Sequence, residues 1–327
     1  MQTIFITGGA GYLGTNISLV ALQKGYSVVV LDNFENSYTK NINKLKKLYP
    51  DTLFVYKGDV RNKLILEHIF VKHKVSTVVH LAAYKYVGES ISNPQKYYSN
   101  NMGSLEKILD CAERYGVEKF AFASSAVVYG NPKTYPTTES EVLSPLSPYA
   151  ETKARGEEMI AEWNKRTHIP AIIYRFSNPV GAESTYKFGD ESKKGVLNLL
   201  PYIVTSTKND NPMQFKGNNH STTDGTAVRD YIYVCDLAKT VISVLEQYNS
   251  NTCEIINVSR GKGFSVLNML NTVEEELNKR ANYTFKPKNE EEASISLLSC
   301  EKLNEQYNLY LDTDLKDIVE SEIDFRN

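Results

Sequence analysis

"TIFITGGAGYLGTN", residues 3 to 16, runs a short β-branched stretch straight into a loop carrying Gly8, Gly11 and Gly14. Glycines between a buried strand and a helix start allow a tight turn, close approach of the backbone to a pyrophosphate, and packing of helix on sheet. The helix N-terminus adds amide donors and partial positive charge. The loop therefore reads as a dinucleotide site made by Gly8, Gly11, Tyr12, Leu13 and Gly14, the simpler alternative being a tight turn with no ligand.

Working outward, "YSVVVLDN", "LFVYKGD", "VSTVVHLAA", "EKFAFASS" and "PAIIYRFSN" repeat the pattern, each apolar run separated from the next by a helical one. Strands buried on both faces with helices between them imply parallel, right-handed crossovers and an α/β, doubly wound, parallel Rossmann-type sheet. After Asn178 the rhythm changes to a polar, Gly- and Asn-rich stretch, a helix from Val234, the strand "CEIINVS" and a charged tail. We expect an NAD-binding domain of residues 1–177, joined by about 226–258, and a smaller interleaved α/β substrate-binding domain of 178–225 and 259–327.

A chain of 327 residues is long for one core, which supports two domains. Its formal net charge of −2 offers no basic field for nucleic acid and no polybasic patch for a membrane. Cys111, Cys235, Cys253 and Cys300 stand apart without a CxxC pair, so neither a metal site nor a disulfide framework is expected. No apolar run approaches the roughly 20 residues of a spanning helix, and Met1 leads directly into the first strand. The expected compartment is the cytoplasm.

Asp32 ends the second strand 18 residues past Gly14, where a carboxylate accepts hydrogen bonds from ribose hydroxyls. The same charge repels a 2′-phosphate, which favours NAD over NADP. Asp59 in "KGDV" suits either an adenine edge or a cap for the next helix.

Chemistry is suggested by "SPYAETKARGEE", residues 147 to 158. A Lys falls four residues after a Tyr three times in the chain, where chance gives about two such pairs. Tyr115 with Lys119 straddles Gly116, and Tyr129 with Lys133 spans Gly130 and Pro132, so only Tyr149 and Lys153 can share a helical face. At roughly 5–6 Å, an ammonium would lower the phenol pKa from about 10 toward neutrality and create a tyrosinate base. An ordinary exposed helix pair is the alternative. Ser124 and Ser125 end the strand of "FAFASSAVVYG", Ser125 lying 24 residues before Tyr149.

Gly8, Gly11, Gly14, Ser125, Tyr149 and Lys153 together resemble the extended short-chain dehydrogenase/reductase superfamily. "LAAYKYVGESISNPQKYYSNN", "SSAVVYG", "SPYAETK", "NPVGA", "NLLPYI" and "TDGTAVRDYIYVCDLA" are similar to the UDP-glucose 4-epimerase family, over Met1 to about Val266. The resemblance implies an NAD-dependent isomerase acting on a UDP-hexose through a 4-keto intermediate. In it Ser125 holds the sugar hydroxyl, Tyr149 exchanges its proton, and Lys153 holds the nicotinamide ribose and depresses the tyrosine pKa. It further implies cofactor contacts at Asn33, Val60, Leu81, Ala82, Lys85, Asn100 and Phe176, and substrate contacts at Lys85, Asn178, Asn198, Arg229 and Ser296. Arg229 would bind the diphosphate, and Ser296 would leave room for an acetamido group at the hexose C2, admitting UDP-N-acetylglucosamine. Asn178 ending a strand, Asn198 capping a helix and Arg229 pairing with Asp230 at the surface are the alternatives.

A homodimer is also implied, through helices at Tyr97–Tyr115 and Tyr149 to about Lys165. Met102, Leu105, Ile108 and Leu109 form an apolar stripe that suits a dimer seam or the core equally. Three departures from the family pattern stand out: Val127 for a hydroxyl residue, Phe176-Ser177 for Tyr-Phe, and Asn289 for a second diphosphate-binding arginine, with Lys286 and Lys288 as possible substitutes. Among competing functions, a 4,6-dehydratase needs an acid–base pair after the strand-tip serine, which Ala126 and Val127 do not provide. A non-catalytic sensor would have no use for Ser125, Tyr149 and Lys153 together.

Overall fold

The computed structural model describes residues 2–195, 198–288 and 293–327. In chain order its elements begin β1 (Thr3–Thr7), α1 (Tyr12–Gln23), β2 (Ser27–Asp32), α2 (Thr39–Leu48), β3 (Leu53–Lys57), α3 (Lys63–His73) and β4 (Thr77–His80). They continue with α4 (Val87–Ser92), α5 (Pro94–Tyr97), a π-helical turn (Tyr98–Met102), α6 (Gly103–Arg114), β5 (Lys119–Ser125), α7 (Pro148–Thr167), β6 (Ala171–Phe176) and β7 (Asn178–Val180). Then come α8 (Leu199–Lys208), β8 (Met213–Lys216), β9 (Val228–Tyr233), α9 (Val234–Gln247), β10 (Cys253–Val258) and β11 (Gly263–Ser265). The last are α10 (Val266–Leu277), β12 (Tyr283–Lys286), β13 (Ile295–Ser296), α11 (Glu301–Tyr307) and α12 (Leu315–Phe325). Two compact units result: residues 1–130, 142–176 and 238–256, and residues 131–141, 177–237 and 257–327.

The sheet of the first unit has the order β10-β6-β5-β4-β1-β2-β3, with parallel pairing from β3 through to β6. The doubly wound reading is borne out. The order reverses between β1 and β4, so the crevice at their C-terminal ends is where such a sheet takes its ligand. Phe5, Val29, Leu31, Val78 and Phe120 fill its core, and Phe70 meets Phe5 edge-on. Leu105, Ile108 and Leu109 of α6 are buried in this same core, which decides the apolar stripe in favour of the core reading. Its outer face is polar instead, with Glu106, Asp110 and Arg114 exposed.

In the second unit β9 is central, flanked by antiparallel β11 and parallel β13, with β7 also parallel to it. β8 and β12 form a separate parallel pair. Val180, Leu200, Ile203, Val204, Met269, Leu270 and Ile318 make the core. Asn289 lies outside the described residues.

Candidate active site

The glycine loop shows why these residues are needed. Gly8 has φ +67°, and a Cβ there would come within 2.9 Å of the Ala82 backbone. A side chain would thus drive apart the two strand ends that form the crevice. At Gly14 a Cβ would sit 2.4 Å from Gly9 Cα, so helix α1 can lie on the loop only as glycine permits. Gly11 is the N-cap of α1, its first turn, with Tyr12 and Leu13, holds no acidic residue, and no side chain caps it. Those amides suit a phosphate.

Asp32 is buried at the tip of β2, taking the Ala10 amide on Oδ2 at 3.1 Å and the Phe34 amide and Ser37 hydroxyl on Oδ1, each at 2.8 Å. Loop and carboxylate are thereby one rigid piece. Neighbouring Asn33 accepts from the Glu35 amide. Asp59 pairs with Arg61, whose hydrogen bonds hold its carboxyl below the ordinary range against the opposing effect of burial. It does not cap α3, because Asn62 does, accepting from the Leu64 amide at 3.0 Å. Val60 is buried beside it. Leu81 and Ala82 are tied to Thr7 at the end of β1, by its carbonyl at 3.2 Å and its hydroxyl at 3.3 Å. Lys85 is exposed with Nζ 5.8 Å from the Tyr86 ring centre. Asn100 donates to Asn101, and Phe176 stacks on Tyr174.

Helix α7 opens with a Ser147 cap accepting from Ala150 and with Pro148 at its start, which fixes Tyr149 and Lys153 one turn apart. Both are buried. Ser125 at the end of β5 lies close enough to the Tyr149 phenol to favour its ionised form, so the strand tip and the helix do meet. Lys153 Nζ instead donates to the Ala123 carbonyl at 2.6 Å, over the Phe122 ring. This changes the electrostatics expected from sequence. Burial pushes the Tyr149 phenol up to about 12, with Ser125 working the other way, whereas helical spacing alone predicts a lowered pKa. Burial likewise pushes Lys153 down to about 8, and the Glu157 carboxylate holds it up.

Several supporting groups escaped the sequence reading. Glu157 and Arg175 form a buried pair through Arg175 Nη2 at 2.6 Å and Nε at 3.1 and 3.2 Å. Ser124 also donates to Glu157, and Arg175 Nη1 donates to the Tyr129 hydroxyl at 2.8 Å. The signal was available: an arginine within "AIIYRF" demands a buried acid, and Glu157 lies one helical turn past Lys153. Asn101, on the π-helical turn, accepts from the Tyr84 amide and donates to the Tyr84 carbonyl and the Thr152 hydroxyl. The Thr7 hydroxyl and His80 Nδ1 are hydrogen-bonded at 2.7 Å, and burial, aided by the Lys153 charge, pushes the His80 pKa down to about 3.

The remaining candidates belong to the second unit. Asn178 does not end a strand but begins β7, donating to the Asp230 carbonyl at 3.2 Å. Asn198 occupies the N-cap of α8, yet its side chain bonds Asp190 rather than the helix. Arg229 donates to the Val228 carbonyl at 2.9 Å. Its neighbour Asp230 is fully buried and takes the Arg260 and Gly261 amides, which removes the surface-pair reading. Ser296 ends β13, opposite Arg229. Among the described residues no cluster could hold a metal ion, and no helix is long and apolar enough to cross a membrane.

A glycine loop at the switch point of a doubly wound sheet, with a serine, a tyrosine and a lysine at the neighbouring strand tip, defines a dinucleotide-binding protein of the short-chain type. The chain belongs to the NAD dependent epimerase/dehydratase family, whose model matches residues 4–259. It is 35% identical over 287 residues to UDP-glucose 4-epimerase of Bacillus subtilis, covering 87% of this chain and 85% of that one. Over 290 residues it is 36% identical to UDP-glucose 4-epimerase of Dictyostelium discoideum, covering 86% and 83%. The structure of UDP-glucose 4-epimerase from Bifidobacterium longum, in complex with NAD+ and UDP, superposes with a TM-score of 0.95 at 30% identity, covering 99% and 98%.

Proposed function

We propose that this chain is a nucleotide-sugar 4-epimerase interconverting UDP-glucose and UDP-galactose with tightly held NAD. The observation that carries the reading is the buried Tyr149 and Lys153 of α7 meeting Ser125 at the tip of β5, on a sheet whose glycine loop and Asp32 fit a dinucleotide. NAD supplies the acceptor and donor of the C4 hydride. Gly8, Gly11 and Gly14 with the first amides of α1 would take its pyrophosphate, Asp32 its adenosine ribose and Lys153 its nicotinamide ribose.

The protein's own part is proton handling. Ser125 orients the C4 hydroxyl, and Tyr149 removes its proton as the 4-keto sugar forms and returns one as C4 is re-reduced on the other face. Because burial favours the protonated phenol, the base form needs a cationic neighbour, and Lys153 is the one the helix supplies. Arg229 binds the diphosphate, Asn178, Asn198 and Lys85 the rest of the nucleotide sugar, and Ser296 faces the hexose. Incubation with UDP-glucose and UDP-N-acetylglucosamine, without added NAD, should yield both C4 epimers by NMR. A 4-keto-6-deoxy product, or no turnover, refutes the epimerase reading; turnover of UDP-glucose alone refutes the role of Ser296.

We further propose a homodimer built on α6 and α7, now through polar faces bearing Glu106, Asp110 and Arg114 on one helix and Arg155, Glu158 and Glu162 on the other. Light scattering at micromolar concentration should give twice the 36.9 kDa chain mass and, if charge carries the contact, a fall toward one chain mass in high salt. A monomer at low salt refutes it.

A further inference from the structure

Arg260 lies between β10 and β11 in the second unit and is only 8% exposed. Among the described residues its Nε and Nη1 have no hydrogen-bond partner. A buried guanidinium left in that state is unfavourable unless an anion meets it. Asp230 is near enough to feel the Arg260 charge, which lowers its pKa, but its hydrogen bonds go to other donors: the Arg260 amide at 3.1 Å and the Gly261 amide at 2.9 Å, with the Ser177 hydroxyl at 3.5 Å.

The surroundings indicate which way the side chain is used. The guanidinium lies 5.2 Å from the Phe264 ring centre, and Phe264 is the cross-strand partner of Arg229. Directly opposed residues of an antiparallel pair project to the same face of a sheet. Arg229, Phe264 and Arg260 are therefore grouped on one face, with the aromatic ring as a platform for the second guanidinium.

We propose that Arg260 is a second anion-binding guanidinium that acts with Arg229 on the diphosphate of the nucleotide sugar. This rests on the epimerase reading above. Two guanidinia on one face match two adjacent phosphoryl groups, each able to take a forked, charge-assisted bond. The arginine expected from the resemblance in the β12–β13 connection is Asn289 here, and Arg260 supplies the charge from a different loop. Nothing in composition marks it, because an arginine between Ser259 and Gly261 reads as an exposed turn residue.

The test uses the holoenzyme and Arg260→Met, which keeps the bulk and removes the charge, with Arg260→Lys as a second variant. Isothermal titration with UDP should show affinity ten- to hundredfold weaker in Arg260→Met, an intermediate loss in Arg260→Lys, and a preference for UDP over UMP reduced by a similar factor. Melting of the nucleotide-free variant separates ligand binding from structure. If the arginine chiefly balanced Asp230, Arg260→Met would melt lower; if its Nε and Nη1 serve an anion instead, its loss should leave the melting temperature unchanged or raised while the UDP-induced rise shrinks. A lowered melting temperature, or UDP affinity equal to that of the unsubstituted protein, overturns the inference alone. An unsubstituted protein that binds no UDP overturns it together with the epimerase reading.

Discussion

Tyr149→Phe should lower kcat by roughly 10²–10⁴-fold, the usual worth of proton transfer by a positioned group. The ring stays, and with it the edge contact to Tyr97 at 6.4 Å between centroids, so the fold should survive. What is lost is the phenolic oxygen that meets Ser125. NAD released on denaturation should match that from the unsubstituted protein, because the glycine loop and Asp32 are untouched. Retention of more than a tenth of kcat would refute Tyr149 as the proton carrier; equal loss of bound NAD would instead assign the residue to cofactor binding.

How far the sequence reaches is clearest at this site. The glycine loop and Asp32 are local: each acts through backbone and strand-end geometry that a few neighbouring residues determine, and the doubly wound sheet follows from the same short range. Tyr149 and Lys153 are visible as a helical pair, but not what the pair does to its own pKa values. Spacing suggests mutual attraction of charge; burial decides otherwise, and the ammonium turns to the Ala123 carbonyl. The stripe at Leu105, Ile108 and Leu109 has one pattern and two destinations, and only the strands packed against it choose the core. Asp59 is a similar case, since Asn62 three residues on captures the helix cap and leaves Asp59 to Arg61. Charged groups that work by being buried, Glu157, Arg175 and Arg260, are the least legible, because their residue types are those expected on a surface.

The buried pair gives the other large expected effect. Arg175 of β6 grips Glu157 of α7, and Ser124 of β5 binds the same carboxylate, so one ion pair pins the helix bearing Tyr149 and Lys153 to the strand that ends in Ser125. Removing one member leaves the other charged and buried, and Arg175→Met should cost about 3–5 kcal/mol of stability. Replacing both by apolar residues, Glu157→Met with Arg175→Met, should recover much of that loss, since desolvation of the pair offsets most of its attraction. Activity should not recover in parallel. Glu157 holds the Lys153 pKa up against burial, so without that carboxylate Lys153 deprotonates at lower pH. If its charge is what permits the phenolate, the alkaline limb of the kcat profile should move toward acid in the double variant. Urea unfolding measures the first effect and a pH–rate profile the second. A double variant as unstable as the single one would show that packing, not charge, holds the helix; an unmoved alkaline limb would show that Glu157 has no influence on the lysine during turnover.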